Sequence, residues 1–297
     1  MTDLAGGAVY DRGYRPYEGH RGRRGAATFA LFKASIRRAL GLRRSWRQKV
    51  APFVLLAVVT VPAIVNVGIG YVTRDQPLDR IEIITYRNYV GVSSALLLFV
   101  AVVAPDVMCP DRRQRVLPLM FSRPLVGVDY VLAKVGAILS ILFMFSFIPQ
   151  VVLFVGNMLV SDSALDYFTD HLDVLWKVPL AVLILSLHYA VIGVAISSLT
   201  DRRIVAGASV IGLFLVTSIA SGVMVGNVDI DGGSAAALVN VLALPLYVRD
   251  IVFLGHIDQS SPLGGVANGG LYAAVELAVV VIVGLTVLWR RYRWTEH

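Results

Sequence analysis

Five histidines, one cysteine and a single deeply placed glutamate are the side chains through which this chain could do chemistry. Of His20, His171, His188, His256 and His297, only His188 falls inside a long apolar stretch. Glu276 lies about seven residues into the last such stretch. An ionised carboxylate facing lipid at that depth costs about 2.5 kcal/mol or more. Glu276 must therefore face the bundle interior or a water-filled cavity, pair with a cation, or stay protonated, and it is a candidate for an outer gate. His188 and Arg249 join it as candidate pathway or gate residues. Arg249 and Asp250 are sequence neighbours, which point in different directions on a helix, so their mutual pairing is not assured. No GxxxxGK[ST], HExxH or GxSxG pattern occurs, so the chain carries no nucleotide-binding motif of its own and no catalytic residue is assigned. The lone Cys109 excludes an intrachain disulfide and argues against a cysteine metal site. No metal ligands and no cofactor are assigned.

The elements that must position these residues are apolar helices. Hydrophobic residues make up 57% of the chain and charged residues 16%, far from the soluble norm. A hydrocarbon core of roughly 30 Å needs about 20 apolar residues of helix. Six stretches qualify, near 50–72, 89–108, 130–159, 177–199, 204–226 and 269–289. The fold class expected is thus an all-α membrane protein with six transmembrane helices.

Arginine and lysine orient them. Of the 27 basic residues, 22 fall before the first stretch, between the second and third taken through Lys134 at the start of the third, between the fourth and fifth, or in the tail. The other side holds only Arg74, Arg80, Arg87, Lys177 and Arg249, and is acidic around Asp162, Asp166, Asp170 and Asp173. The positive-inside rule places both termini in the cytoplasm. The net charge of +7 is explained by this placement and by anionic lipid, which disfavours nucleic acid as a partner.

Residues 1–25 lack periodicity and read as an extended or disordered cytoplasmic arm. In 26–49, Phe29, Phe32, Ile36, Ala39, Leu40 and Leu42 recur at helical spacing among basic residues. That pattern predicts an amphipathic interfacial helix, with Trp46 at headgroup depth. Residues 50–297 form the transmembrane domain. Between the second and third spans, Pro110 suits a helix start, and 110–117 can make about two turns. Leu117, Leu119, Met120 and Phe121 beside the charges suit docking into a partner. In 227–268 the apolar runs Ala235–Leu244 and Leu246–Leu254 are each too short to span, and Pro245 breaks them. This predicts a re-entrant outer segment before the last span.

These features resemble the permeases of ABC-2 type ABC transporters. The resemblance rests on the six spans with an elbow helix, the broken outer segment, and one patterned loop. That loop contains Pro105-Asp106, Pro110-Asp111-Arg112, Leu117-Pro118-Leu119, Phe121-Ser122-Arg123-Pro124, Asp129-Tyr130 and Lys134. Residues 10–19, YDRGYRPYEG, also resemble the start of many bacterial members. The resemblance implies a bacterial inner-membrane half-transporter that pairs with a second permease copy or homologue. Two separate ATPase subunits, holding ATP and Mg, would dock beneath. It implies a coupling helix over 106–117, with Asp106, Asp111, Arg112, Arg113, Arg115 and Leu117 meeting the ATPase. It also implies that Arg123, Asp129 and Lys134 brace the start of the third span. The mostly apolar spans lean toward a hydrophobic or amphipathic export substrate. An intramembrane enzyme using Glu276 and His188, and a non-transporting scaffold or assembly factor, are the alternatives.

Overall fold

A computed structural model describes residues 23–42, 46–73, 84–89, 93–121, 125–227 and 234–293, the side chains of 46–52, 55, 93, 94 and 119 excepted. The arm over 1–22 with its YDRGYRPYEG segment, the side chain of Trp46, and Arg123 therefore lie outside the described residues. Among the described residues the structure is helical throughout, with no strand.

Six helices stand where the six apolar stretches predict them. They are α2 (Trp46–Val72), α4 (Ser93–Arg113), α6 (Gly127–Val160), α8 (Val174–Leu199), α9 (Arg203–Asn227) and α11 (Gly269–Arg293). The shorter helices are α1 (Arg24–Ala39), α3 (Tyr86–Tyr89), α5 (Leu117–Phe121), α7 (Ala164–Asp170) and α10 (Leu244–Leu254). Four helices, α6, α8, α9 and α11, are long and apolar enough to cross a membrane. α6 has 34 residues, about 51 Å of helix, so it outreaches a hydrocarbon core of roughly 30 Å. α4 carries Asp106, Asp111, Arg112 and Arg113 in its last turns.

α8 is the central helix. Residues 188–195 are buried without a break, as expected of a helix surrounded by others. α4, α6, α9, α10 and α11 all pack on it. Small residues make this possible. A Cβ on Gly193 would lie 2.3 Å from Val100 Cγ1 of α4. One on Gly284 of α11 would lie 2.5 Å from Val191 Cγ1 of α8. α2 packs mainly on α6, and α1 lies across α6 and α4.

α1 is amphipathic as expected, but its apolar face divides. Leu31, Ile36 and Leu40 join the core, and Phe32 covers Gly136 of α6. Phe29 stays 64% exposed. Gly41 ends the helix at φ 65°. Its N–H bonds Arg38 O, and the Leu42 N–H bonds Arg37 O, which is the Schellman closure that favours glycine.

Two expectations about proline need correction. Pro110 does not start a helix, because α4 runs through Pro105 and Pro110 to Arg113. The N–H groups that these prolines lack leave the carbonyls of Ala101 and Asp106 without their helical donors. α9 exploits the first of these, since a Cβ on Gly207 would stand only 2.7 Å from Ala101 O. The corner comes instead at Arg115, in the left-handed region at φ 52°. Its N–H bonds Arg112 O, and the Val116 N–H bonds Asp111 O, closing α4 with a second Schellman motif. Nor does Pro245 break the outer segment; it sits in the first turn of α10, a position that tolerates it. The break is a turn around Asn240, between a 3-10 helix over Ala235–Val239 and α10. Asn240 Oδ1 accepts the N–H groups of Leu242 and Ala243.

Candidate functional site

The residues expected at a partner interface gather at one corner, where α4 ends beside the N-terminal part of α6 and the turn between α8 and α9. They divide into three groups, two bonded within the bundle and one facing outward.

The first group is turned inward. Asp111 is fully buried, so it is not an exposed docking contact as the resemblance implied. Its carboxylate pairs with Lys134 Nζ at 2.5 Å and with Arg38 of α1, and accepts the Tyr130 hydroxyl at 3.1 Å. Lys134 is equally buried and also donates to Val107 O at 3.1 Å. Tyr292 of α11 stacks at a tilt on Tyr130, with centroids 4.8 Å apart. Three helices, α1, α4 and α6, thus meet at one carboxylate, and α11 packs on the tyrosine that binds it. Beside it, Asp129 in the first turn of α6 takes a two-pronged bond from Arg24, at 2.6 and 3.0 Å, and the Val126 N–H. Asp129 and Lys134, the residues expected to brace the third span, bond from the start of α6 to partners on α1 and α4. The sequence singles out neither residue: Arg24 falls in the basic arm over 1–25, and Arg38 is one of several basic residues of the amphipathic stretch over 26–49. The signal that could have flagged the site is an acid and a lysine, Asp111 and Lys134, near the C-terminal end of one apolar helix and the N-terminal end of the next.

The second group ties α4 to the turn before α9. Arg112 donates to Ser198 O and pairs with Asp201 at 3.0 Å. Arg203 pairs with Asp106 at 2.8 Å. Cys109 is buried, with its thiol toward the carbonyls of Ser197 and Thr200. It therefore reports on neither side of a membrane.

What remains outward is Arg113, Gln114 and Arg115 at the corner and Arg202 across from it. A groove of about 760 Å³ runs between them, lined by Arg113, Asp201, Arg202, Arg203, Ile204 and Val205. Leu117 is half-buried and packs on the core, as do Met120 and Phe121. The apolar residues of this segment therefore anchor the corner while its arginines face out.

The candidate gate residues lie elsewhere and do not converge. His188 is buried, and its Nε2–H donates to Val241 O at 2.9 Å. The next residue, Tyr189, donates to Leu242 O at 2.9 Å. Both satisfy carbonyls that the break before α10 leaves without helical donors. Arg249 does pair with Asp250, at 2.7 Å, despite their adjacency. Arg87 of α3 approaches the same carboxylate at 3.9 Å and binds Asp258 at 2.6 Å. The Ser260 N–H and hydroxyl, together with Arg87, hold the Asp258 carboxyl well below the usual carboxylate range.

Glu276 sits at the edge of the buried stripe of α11, half-buried. It makes no hydrogen bond or ion pair among the described residues, so the expected interior-facing role near a gate gains no partner here. Glu276→Leu is expected to raise the thermal unfolding temperature in membranes or detergent, because it removes a carboxyl that nothing described compensates. Glu276→Gln should leave it nearly unchanged. A clear loss of stability on Glu276→Leu would reveal a partner for the carboxyl.

No protein-family model, curated protein or solved structure matches this chain.

Proposed function

We propose that the chain is the permease subunit of an ATP-driven exporter of the ABC-2 type. In this reading α2, α4, α6, α8, α9 and α11 are six membrane spans in a bacterial inner membrane, with both termini cytoplasmic. α1 lies in the membrane interface as the elbow helix. The subunit pairs with a second permease copy, and two separate ATPase subunits supply the ATP hydrolysis. The chain itself performs no covalent chemistry. Differential binding of the ATPase pair in its closed state shifts the bundle between inward- and outward-facing forms. The substrate class this favours is hydrophobic or amphipathic.

One observation carries the reading. The α4 corner presents Arg113, Arg115 and Arg202 outward, while its other charges are spent on bonds that stiffen it. A rigid cationic knob at a helix corner can pass a displacement from a docked partner into α4, α6 and α8. A loop that needed only to be soluble would not require those internal ties. Charge complementarity then calls for an acidic cleft on the partner.

The test is a tagged full-length chain purified from its native membranes. An ATP-hydrolysing subunit should copurify. The triple change Arg113→Glu, Arg115→Glu, Arg202→Glu should release it while the permease stays inserted and stable. Arg112 is left intact, because its bonds to Ser198 and Asp201 are internal. Copurification that survives the reversal at full ATPase activity would rule out docking at this corner.

A further inference from the structure

A groove of about 620 Å³ runs between α1 and the N-terminal part of α6. Gly25, Phe29 and Phe32 line it from α1, and Leu132, Ala133 and Gly136 from α6. It follows α6 from Asp129 to Gly136, about 10 Å of helix. The two-pronged pair of Arg24 and Asp129 stands at one end. The rest of the lining is apolar except for Thr28, whose hydroxyl is spent on Arg24 O. Phe29 and Phe32 stack with centroids 6.0 Å apart and make one wall. Leu132 on the other wall is 59% exposed, and Val128 one turn before it is exposed as well. The rim supplies charge. α1 contains no acid. Two of its basic residues, Arg24 and Arg38, pair with Asp129 and Asp111. The other two, Lys33 and Arg37, are exposed and make no hydrogen bond or ion pair among the described residues. Phe29, Lys33 and Arg37 are spaced four residues apart, so they follow one another along one face of the helix. Exposed phenylalanine thus passes directly into unpaired cations. An exposed apolar patch rimmed by polar groups marks a contact with a membrane or a partner.

We propose that this groove seats an anionic phospholipid, with one acyl chain between Phe29, Phe32 and Leu132 and the phosphate beside Lys33 and Arg37. The two kinds of surface set the chemistry together. Free phosphate would match the cations but leave the apolar walls bare. A neutral lipid would cover the walls but leave both cations unmatched. An acidic peptide would bring backbone N–H and C=O groups against Phe29 and Leu132, where nothing satisfies them. A phospholipid with a net negative head meets both surfaces at once, because its charge and its chains are separated in the same way as the rim and the groove. Exposed cations attract the whole of an anionic leaflet. The groove adds a place where one molecule is held. The inference rests on the reading of α6 as a membrane span and of α1 as a helix in the interface, and it deepens that reading by assigning a lipid class and a seat.

The experiment uses the full chain in phosphatidylcholine nanodiscs that carry a trace of diazirine-acyl phosphatidylglycerol or of its phosphatidylcholine counterpart. Light should attach the phosphatidylglycerol probe to peptides carrying residues 25–33 and 128–136, and the phosphatidylcholine probe there much less. The double change Lys33→Gln, Arg37→Gln should lower phosphatidylglycerol labelling of these peptides about 5- to 30-fold and leave phosphatidylcholine unchanged. Gly25→Trp should block the groove to both probes. A Cβ at Gly25 meets nothing within 4 Å, so the position has room for a side chain and the change keeps the test open if the double variant folds poorly. Equal labelling of these peptides by the two probes in wild-type protein would overturn the proposal. So would phosphatidylglycerol labelling that persists in Gly25→Trp. The exposed face of α11, with Val275, Val279 and Ile282, is the control. If α11 is labelled and the α1 and α6 peptides are bare, the seat alone is wrong. If α11 is bare too, the membrane reading falls with it.

Discussion

Asp111→Ala is expected to be the most damaging single substitution among the charged residues of this chain, costing about 3–5 kcal/mol of stability. The carboxylate is fully buried and serves two cations, Lys134 and Arg38, and the Tyr130 hydroxyl. Removing it leaves the Lys134 ammonium uncompensated in a site where its side chain is 2% exposed. It also releases the attachment of α1 to α4. Lys134→Met should cost less, because Asp111 keeps Arg38 and Tyr130. Arg38→Ala should cost least, since that side chain is 34% exposed and can be replaced by water. The double change Asp111→Asn, Lys134→Met should recover much of the loss, as buried ion pairs often exchange for neutral groups at little cost. Thermal unfolding of the purified chain in one detergent ranks the four variants. If Lys134→Met proved worse than Asp111→Ala, the carboxylate would not be the hub of the cluster.

Gly193→Ala and Gly207→Ala should each destabilise the bundle by about 1–3 kcal/mol, but they should differ in whether they can be rescued. At Gly193 the obstacle is a side chain, Val100 Cγ1 at 2.3 Å from the added carbon. A β-branched residue in a helix holds one rotamer, so it cannot swing aside. Adding Val100→Ala removes the obstacle and should restore most of the stability. At Gly207 the obstacle is the backbone carbonyl of Ala101, at 2.7 Å. No side-chain change clears it, and α9 must move away from α4. That movement would also pull Arg203 from Asp106 at the corner. Gly207→Ala should therefore lose partner binding as well as stability, whereas the rescued Gly193 pair should keep both. Melting curves and copurification measured on the same preparations separate the two. Rescue of Gly207→Ala by Val100→Ala would contradict the contact assigned to it.

The pattern of Pro105 and Gly207 shows how little of the site is local. Each residue could be read alone as a helix breaker or a packing glycine. Only their apposition joins a carbonyl freed by one to the space left by the other. The same holds for Gln150, legible in sequence as an inward polar residue but not as the donor to the carbonyl of Tyr86 on α3.

What the chain determines by itself is hydrophobic length and period. Stretches of about 20 apolar residues can satisfy their backbone only as helices when water is absent, so the positions of α2, α4, α6, α8, α9 and α11 were legible within a few residues. The amphipathic repeat of α1 and the broken character of 235–254 were legible for the same reason. What only the tertiary structure decided is which charges face in. Asp111 and Arg113 are two residues apart in one charged stretch, and nothing local tells which of them faces inward. Packing places one against Lys134 and Arg38 and leaves the other exposed. The partners of Asp111 lie 73 and 23 positions away along the chain. A charge becomes a hub or a surface group through neighbours that the chain brings together only when it folds.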